Sequence, residues 1–206
     1  MAREEIYEIF GDSDRPCTAE DAAQMKYLEC CIKEALRLYP AVPSITRQTC
    51  EDSELGGYKI PSGVSVVMQI YALHRNEKFF PEPEVFKPER FQTEESLGRH
   101  PFAFVPFSAG PRNCIGTSFA QNRICSQNSL YDAIDYFYVP YFNSQVIFYC
   151  AGQRFAMLEE KVLASTLLRK FQFAYDSVKH GQPNANAELV LRPKHGMPLK
   201  IAECNR

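Results

Sequence analysis

Apolar side chains recur at helical spacing along two long stretches of the chain. The first stretch starts after Thr18, which forms a capping-box pattern with Asp21, and it ends where Pro40 stops the repeat. The second extends from Phe155 to Phe171, with an apolar residue at every third or fourth position. This spacing gathers the apolar residues of each stretch on one face, so both are predicted to be amphipathic helices that pack against a core.

Shorter elements are predicted around these two helices. Residues 4–10 have the pattern of a helix that ends at Gly11. Residues 44–50 are predicted to form a strand, and residues 58–68 a hairpin that turns at the Pro-Ser-Gly of residues 61–63. Strand patterns recur after the second long helix, at residues 172–175, 188–192 and 199–202. The chain is therefore predicted to be mainly α-helical with small β-sheets.

The composition narrows the class of protein. With 206 residues, of which 45% are hydrophobic, the chain can bury the core of one domain. A formal net charge of −2 gives no basic surface, so no nucleic-acid partner is predicted. The irregular spacing of the cysteines signals neither a zinc site nor a disulfide framework. The amino-terminal residues have no basic flank and no long apolar run, so no membrane-spanning segment is predicted.

One cysteine, Cys114, lies in a loop rich in glycine and proline. Gly110 and Gly116 permit positive φ or a close backbone approach, so backbone N–H groups can surround one sulfur atom. Arg112 adds a fixed positive charge and a rigid fork of donors that suits a carboxylate. A thiolate beside an anion clamp is what a haem requires. The alternative for a lone cysteine is a buried structural residue in a turn.

The neighbouring positions favour the haem interpretation. Residues 107–116 resemble, at all five key positions, the haem-ligand signature of the cytochrome P-450 monooxygenases. Those positions are Phe107, Gly110, Arg112, Cys114 and Gly116. The resemblance implies that Cys114 is the axial thiolate ligand of the iron of haem b and that Arg112 pairs with a haem propionate. In that family the thiolate pushes electron density onto the iron and favours O–O cleavage.

Two further motifs stand in the order that the family has. Glu34 and Arg37 share a face of the first long helix and match the family's Glu-x-x-Arg, although a solvated ion pair is the alternative. Residues 88–91, Pro-Glu-Arg-Phe, resemble the motif whose arginine, here Arg90, closes a charge triad with that pair. By the same resemblance Arg47 reaches a haem propionate, and a solvated strand residue is the equal alternative.

The resemblance also carries expectations about function. It implies a monooxygenase that inserts one oxygen atom from O2 into a small apolar substrate and takes electrons from a reductase. The chain is most similar to the fourth family of these enzymes, many of which hydroxylate fatty acids. The parent enzyme is expected at the cytoplasmic face of the endoplasmic reticulum membrane, held there by an N-terminal part that precedes this chain.

The resemblance to the cytochrome P-450 family also implies that the chain is incomplete. The family's oxygen-activating helix precedes the Glu-x-x-Arg helix, so the chain corresponds to the C-terminal, haem-ligating portion of the fold. The alternative is a non-catalytic product, either a truncated haem-binding remnant or a fragment that results from an erroneous exon prediction.

Residues 117–152 interrupt the resemblance, which covers residues 4–116 and resumes at Gln153. Deleting them joins the cysteine loop directly to the last long helix, as in the family. The segment is rich in Tyr, Phe, Asn and Ser without a sustained period, and its ends can encode splice sites. We interpret residues 1–206 as a partial P-450 domain that contains a retained in-frame intron or an exon-prediction error. A genuine insertion is the alternative.

Three other residues are candidate ligands. Cys150 begins a sequence that echoes the one after Cys114, but only Cys114 has the upstream Phe-x-x-Gly-x-Arg and is preferred. His74 and His100 have no partner histidine at ligand spacing, so both are predicted to form hydrogen bonds rather than to bind a metal.

Overall fold

The computed structural model describes residues 1–110, 153–181, 185–187, 190–194 and 196–204. Its α-helices are α1 (Ala2–Phe10), α2 (Ala19–Gln24), α3 (Lys26–Leu38), α4 (Ile70–Leu73), α5 (Thr93–Ser96), α6 (Gln153–Lys170) and α7 (Ser177–His180). Its strands are β1 (Ser44–Gln48), β2 (Ser53–Leu55), β3 (Tyr58–Ile60), β4 (Ser65–Gln69), β5 (Phe171–Tyr175), β6 (Ala185–Ala187), β7 (Leu191–Pro193) and β8 (Leu199–Glu203). Short 3-10 helices cover Pro88–Phe91 and Pro101–Ala103. This architecture confirms the predicted fold class.

The first long helical stretch is two helices rather than one. The capping box at Thr18 is present, because its hydroxyl accepts from the Asp21 backbone and the Asp21 carboxylate accepts from the Thr18 backbone. The helix breaks at Met25, whose φ of −73° and ψ of 79° are not helical. The prediction of one continuous helix is wrong here. Methionine is a good helix former and gives no local stop signal, so the sequence pattern does not predict this break, at which the Met25 side chain is fully buried.

The break leaves the first turn of α3 to be capped by another helix. Met25 offers no oxygen, and the carboxylate of Glu5 on α1 instead accepts from the backbone N–H groups of Tyr27 (2.7 Å) and Leu28 (2.9 Å). These N–H groups have no partner within the helix, and a negative charge at this end complements the helix dipole. Glu5 therefore fixes α1 against the start of α3.

The core lies where α1, α2, α3 and α6 meet. Its buried residues are Ile6, Phe10, Cys17, Ala22, Met25, Leu28 and Val162. On α6 the buried Lys161 donates to the carbonyl of Ala22 (3.0 Å) and pairs with Glu29 of α3 (2.5 Å). Burial opposes ionisation of Glu29, but hydrogen bonds from Lys161 and Lys33 outweigh it and lower the pKa of Glu29 to about 2. The second predicted long helix is confirmed, and it docks against the first three helices.

The strands before α4 pair differently from the prediction. β1 pairs with β4, and β2 pairs with β3, both antiparallel. The hairpin predicted across residues 61–63 is wrong, because β3 and β4 belong to different sheets. Gly56 and Gly57, with φ of 59° and 85°, form the turn between β2 and β3. Two successive positive φ values favour a tight hairpin turn, which explains why the glycine pair prevails over the later Pro-Ser-Gly.

Two small sheets follow α6. β5 pairs with β8 and β6 pairs with β7, again antiparallel. The strands predicted at 172–175 and 199–202 are confirmed to within one residue at each end, whereas the third strand begins at Leu191 and residues 188–189 lie outside the described part. No helix in the described ranges is long and apolar enough to cross a bilayer.

We predict that Glu5→Ala lowers the free energy of unfolding by about 1–2 kcal/mol, because it leaves two N–H groups at the start of α3 without an acceptor. Urea unfolding followed by far-UV circular dichroism measures the change. Glu8→Ala, at an exposed position of the same helix, is the control and should have little effect. Equal losses in the two variants would contradict the capping role.

Candidate functional site

Glu34, Arg37 and Arg90 meet in a buried network of charges. Both oxygens of Glu34 accept from Arg37, from Nε at 2.8 Å and from Nη2 at 2.9 Å. The Oε1 atom of Glu34 also accepts from Nε of Arg90 (3.2 Å) and from the backbone N–H of Lys87 (2.8 Å). Glu34 and Arg37 are fully buried and Arg90 is 4% exposed. The solvated ion pair offered as an alternative is therefore wrong.

The remaining donors of the two arginines bind backbone carbonyls. Arg37 donates from Nη1 to the carbonyl of His74 (3.0 Å). Arg90 donates to the carbonyls of Pro81 and Glu82, the latter at 2.8 Å. Glu82 has a φ of 52°, a conformation that is unfavourable for a residue with a Cβ, and Arg90 helps to hold it. The network thus ties α3 to the irregular chain between α4 and the 3-10 helix at Pro88–Phe91.

An aromatic ring lies between two arginines beside this network. Phe80 is fully buried, with the guanidinium carbon of Arg37 at 5.3 Å from its ring centroid and that of Arg99 at 4.6 Å. Arg99 also donates from Nη2 to the carbonyl of Arg90 (2.8 Å). Burial, with the nearby charge of Arg90, lowers the pKa of Arg99. Arg99 therefore connects the network to the segment that leads towards Cys114.

His74 forms a second connection to that segment. It follows α4, is fully buried, and accepts at Nε2 from the backbone N–H of Val105 (3.0 Å). Its ring also packs on Phe104, with 5.1 Å between centroids. His100 accepts at Nδ1 from the backbone N–H of Phe102 (3.2 Å), at an exposed site. The prediction that both histidines form hydrogen bonds is confirmed.

Arg47 lies on β1, on the face that Ile45 also occupies. Across the strand pair, Val66 is opposite Arg47 and Met68 is opposite Ile45. The Arg47 side chain is half-buried and donates to the carbonyl of Thr46 (3.0 Å). The structure thus places the predicted propionate partner on a face of a small sheet whose neighbouring side chains are apolar.

The described residues contain only part of the cysteine signature. Phe107 is half-buried and Gly110 is exposed, with a φ of 86° that favours glycine. Arg112, Cys114 and Gly116 lie outside the described residues, as does the segment 117–152 with Cys150. Their predicted roles stay predictions.

The sequence motifs identified only some of the residues that form the buried network and its contacts. The Glu-x-x-Arg spacing and the Pro-Glu-Arg-Phe motif indicated the three charged residues of the network. Arg99 and the backbone of Lys87 gave no such signal, because Arg99 binds a backbone carbonyl, which no motif marks, and the Lys87 N–H binds Glu34, 53 residues away. A pattern of local spacing cannot identify a contact of this kind.

Comparison with known proteins supports the sequence resemblance. The profile of the family described as Cytochrome P450 matches residues 1–125, a range that includes the buried network and the whole of residues 107–116. Cytochrome P450 4V2 of mouse is 40% identical over 198 residues, which cover 96% of this chain and 31% of the relative. Cytochrome P450 4c3 of Drosophila melanogaster is 42% identical over 200 residues, covering 96% of this chain and 30% of the relative. Cytochrome P450 4B1 of rat is 40% identical over 202 residues, covering 98% and 32%.

The chain spans about a third of the length of the curated relatives it matches. The matches nevertheless extend over nearly all of the chain itself, and the family profile covers more than half of it. The chain therefore belongs to the cytochrome P450 family.

Proposed function

We propose that this chain is the haem-ligating portion of a haem-thiolate monooxygenase, which inserts one oxygen atom from O2 into a small apolar substrate. The observation that carries the proposal is the cysteine signature, complete at five positions and contained within the range that the family profile matches. Cys114 is the proposed axial ligand of the iron. The haem, when bound, supplies the oxygen and redox chemistry.

The residues present fit a haem in two respects, an apolar surface and a cation beside it. Haem presents an apolar macrocycle with carboxylates at one edge. Arg47 projects from a sheet face that it shares with Ile45 and, on the neighbouring strand, Val66 and Met68, so a cation stands beside apolar side chains. We propose that Arg47 and Arg112 each pair with a propionate, since guanidinium donors match a carboxylate.

The protein's own contribution would be to hold the cysteine loop and its charge in place. Gly110 and Gly116 would allow the backbone N–H groups of the loop to approach the sulfur of Cys114. Hydrogen bonds from those groups would favour the thiolate over the thiol, because they would stabilise the negative charge. The buried network reaches the chain before this loop through His74, which binds Arg37 and the backbone N–H of Val105. No atom of that network is proposed to touch the iron.

The finer proposals concern substrate, electron donor and location. The relatives named above are members of the fourth P450 family, and the sequence resembles that family most closely, so we propose an apolar substrate of the fatty-acid type. A reductase would supply the electrons. The full-length enzyme would lie at the cytoplasmic face of the endoplasmic reticulum membrane, through a part that precedes this chain.

We propose that residues 117–152 are foreign to the family domain, as a retained intron or an exon-prediction error. Two observations support this. The family profile stops at residue 125, so it matches the first nine residues of the segment but leaves 126–152 outside, and α6 then begins at Gln153 and packs against the first three helices. The alternative function is a haem-binding product without oxygenase activity. Sequencing of the transcript across Gly116 and upstream of Met1 distinguishes the two.

The ligand assignment predicts a spectrum. The test protein is a hybrid in which residues 1–206, without 117–152, replace the matching part of mouse Cytochrome P450 4V2. In this hybrid Cys114→Ala should abolish the thiolate-type absorption band of the reduced carbon monoxide complex, because the axial sulfur is gone. Cys50→Ala, which changes an exposed cysteine, is the control and should leave the band intact. Persistence of the band in Cys114→Ala would refute the assignment.

The buried network predicts a large loss of stability. Glu34→Ala should lower the free energy of unfolding of the chain by about 3–5 kcal/mol, since it leaves two buried guanidinium groups without their counter-charge, and it should lower haem retention in the hybrid. The matched control is Glu84→Ala. Glu84 also pairs with an arginine, Arg75 at 3.0 Å, but is 72% exposed, so its loss should cost about 1 kcal/mol or less. Similar losses in both would contradict a structural role for the buried network.

We predict that the hybrid that retains residues 117–152 binds haem more weakly than the hybrid without them. In the family the last long helix starts just after the cysteine, and the positive end of its dipole then stabilises the thiolate. Such a dipole contributes about 0.3–1 kcal/mol, so the hybrid that retains the segment should bind haem about two- to fivefold less tightly. It should also show more of the protonated-thiol type of spectrum. Equal affinity and equal spectra would make the segment a tolerated surface insertion.

A further inference from the structure

His74 contacts both the buried charge network and the chain that leads to the cysteine loop. Its backbone carbonyl accepts from Nη1 of Arg37 (3.0 Å), and its ring nitrogen Nε2 accepts from the backbone N–H of Val105 (3.0 Å). The backbone of His74 thus binds the network and its side chain binds the chain before the cysteine loop. The residue is fully buried, and water cannot replace either bond without opening the core.

The hydrogen bond to Val105 specifies the state of the ring. A nitrogen that accepts from a backbone N–H carries no proton, so the neutral ring has its proton on Nδ1. Burial, with the charges of Arg37 and Arg75, lowers the pKa of His74 to about 4, and the carbonyls of α3 oppose this only in part. The ring is therefore neutral at neutral pH, and its Nε2 atom is able to accept the hydrogen bond.

Aromatic packing adds a second constraint on the same segment. The His74 ring lies 5.1 Å from that of Phe104, which lies 4.7 Å from Phe91. Phe91 ends the 3-10 helix that carries Arg90 of the network. Phe104 is thus held by contacts with two rings, and Val105 by a hydrogen bond to its backbone.

We infer that His74 is a positioning residue that fixes the backbone at Val105 and through it the start of the loop that carries Cys114. The inference rests on the proposed function, because Cys114 matters as a ligand only if the chain binds haem. The acceptor nitrogen, rather than the volume of the ring, is the feature that does this. A side chain of similar size without an acceptor would fill the space and leave the Val105 N–H unpaired.

The first experiment needs no haem. Native-state amide hydrogen exchange of the 206-residue chain is compared among wild type, His74→Phe, which keeps a ring and removes the acceptor, and His74→Gln, which restores an acceptor at similar reach. The Val105 amide should exchange roughly tenfold faster in His74→Phe and return to within about threefold of wild type in His74→Gln. His100→Phe is the matched control, because His100 also accepts from a backbone N–H but at an exposed site. It should leave Val105 unchanged.

Equal exchange of Val105 in wild type and His74→Phe would overturn the inference. If His74→Phe unfolds the chain, His74→Gln decides: failure of the amide side chain to protect Val105 overturns the inference, and protection supports it. The second readout is spectroscopic, in the hybrid at equal haem occupancy. His74→Phe should raise the fraction of protonated-thiol spectrum and His74→Gln should raise it less. A change in exchange without this spectral change would show that His74 is only structural. A hybrid that never binds haem would refute the proposed function, whereas the exchange result would still decide the His74 contact.

Discussion

The pairing of the buried Glu34 carboxylate with Arg37 and Arg90 is the interaction on which the described fold depends. A fully buried negative charge is tolerated only when positive charges and hydrogen-bond donors surround it, because desolvation costs several kcal/mol per ion. Here Arg37, Arg90 and the Lys87 backbone donate to it. Arg37 lies one turn from Glu34 on α3, whereas Arg90 and Lys87 come from the 3-10 helix at Pro88–Phe91 and its N-cap, so few backbone arrangements can satisfy all three donors together. A network of this kind selects one geometry for the irregular chain between α4 and residue 91.

That geometry extends outward through residues that are not themselves charged partners of Glu34. Arg37 donates to the carbonyl of His74, and the imidazole ring of His74 accepts from the backbone N–H of Val105. Arg99 reaches the carbonyl of Arg90 and covers Phe80. The path from α3 to the segment before Cys114 is therefore a short series of direct contacts. A rigid support of this type is expected beneath a ligand whose position must be held to a fraction of an ångström.

The sequence predicted the parts of this arrangement that follow a local rule. Helical spacing identified α3 and α6, and the capping box at Thr18 was visible as a pattern. The break at Met25 was not, since methionine favours helix and the sequence carries no local stop signal there. The pairing of β1 with β4 was missed for a related reason, because strand partners are chosen by whole-sheet packing and by the stronger Gly56-Gly57 turn. The motifs named Glu34, Arg37 and Arg90, but only the folded chain shows which carbonyls complete their hydrogen bonds.

The two sides of the segment 117–152 are fixed by contacts that do not involve it. Before it, Val105 is held by His74. After it, α6 is held by Lys161, which binds Ala22 and Glu29 on the first helices. The partners in both places, His74 before the segment and Ala22 and Glu29 after it, belong to residues 1–74. Each side of the segment is therefore held by contacts with the same part of the fold. Loop-closure entropy rises only slowly with length, so extra residues between two anchored ends cost little as long as neither anchor moves. If residues 117–152 are foreign to the domain, as we propose, the chain that they would disturb is the part between the two anchors that belongs to the family domain, and that part contains Cys114.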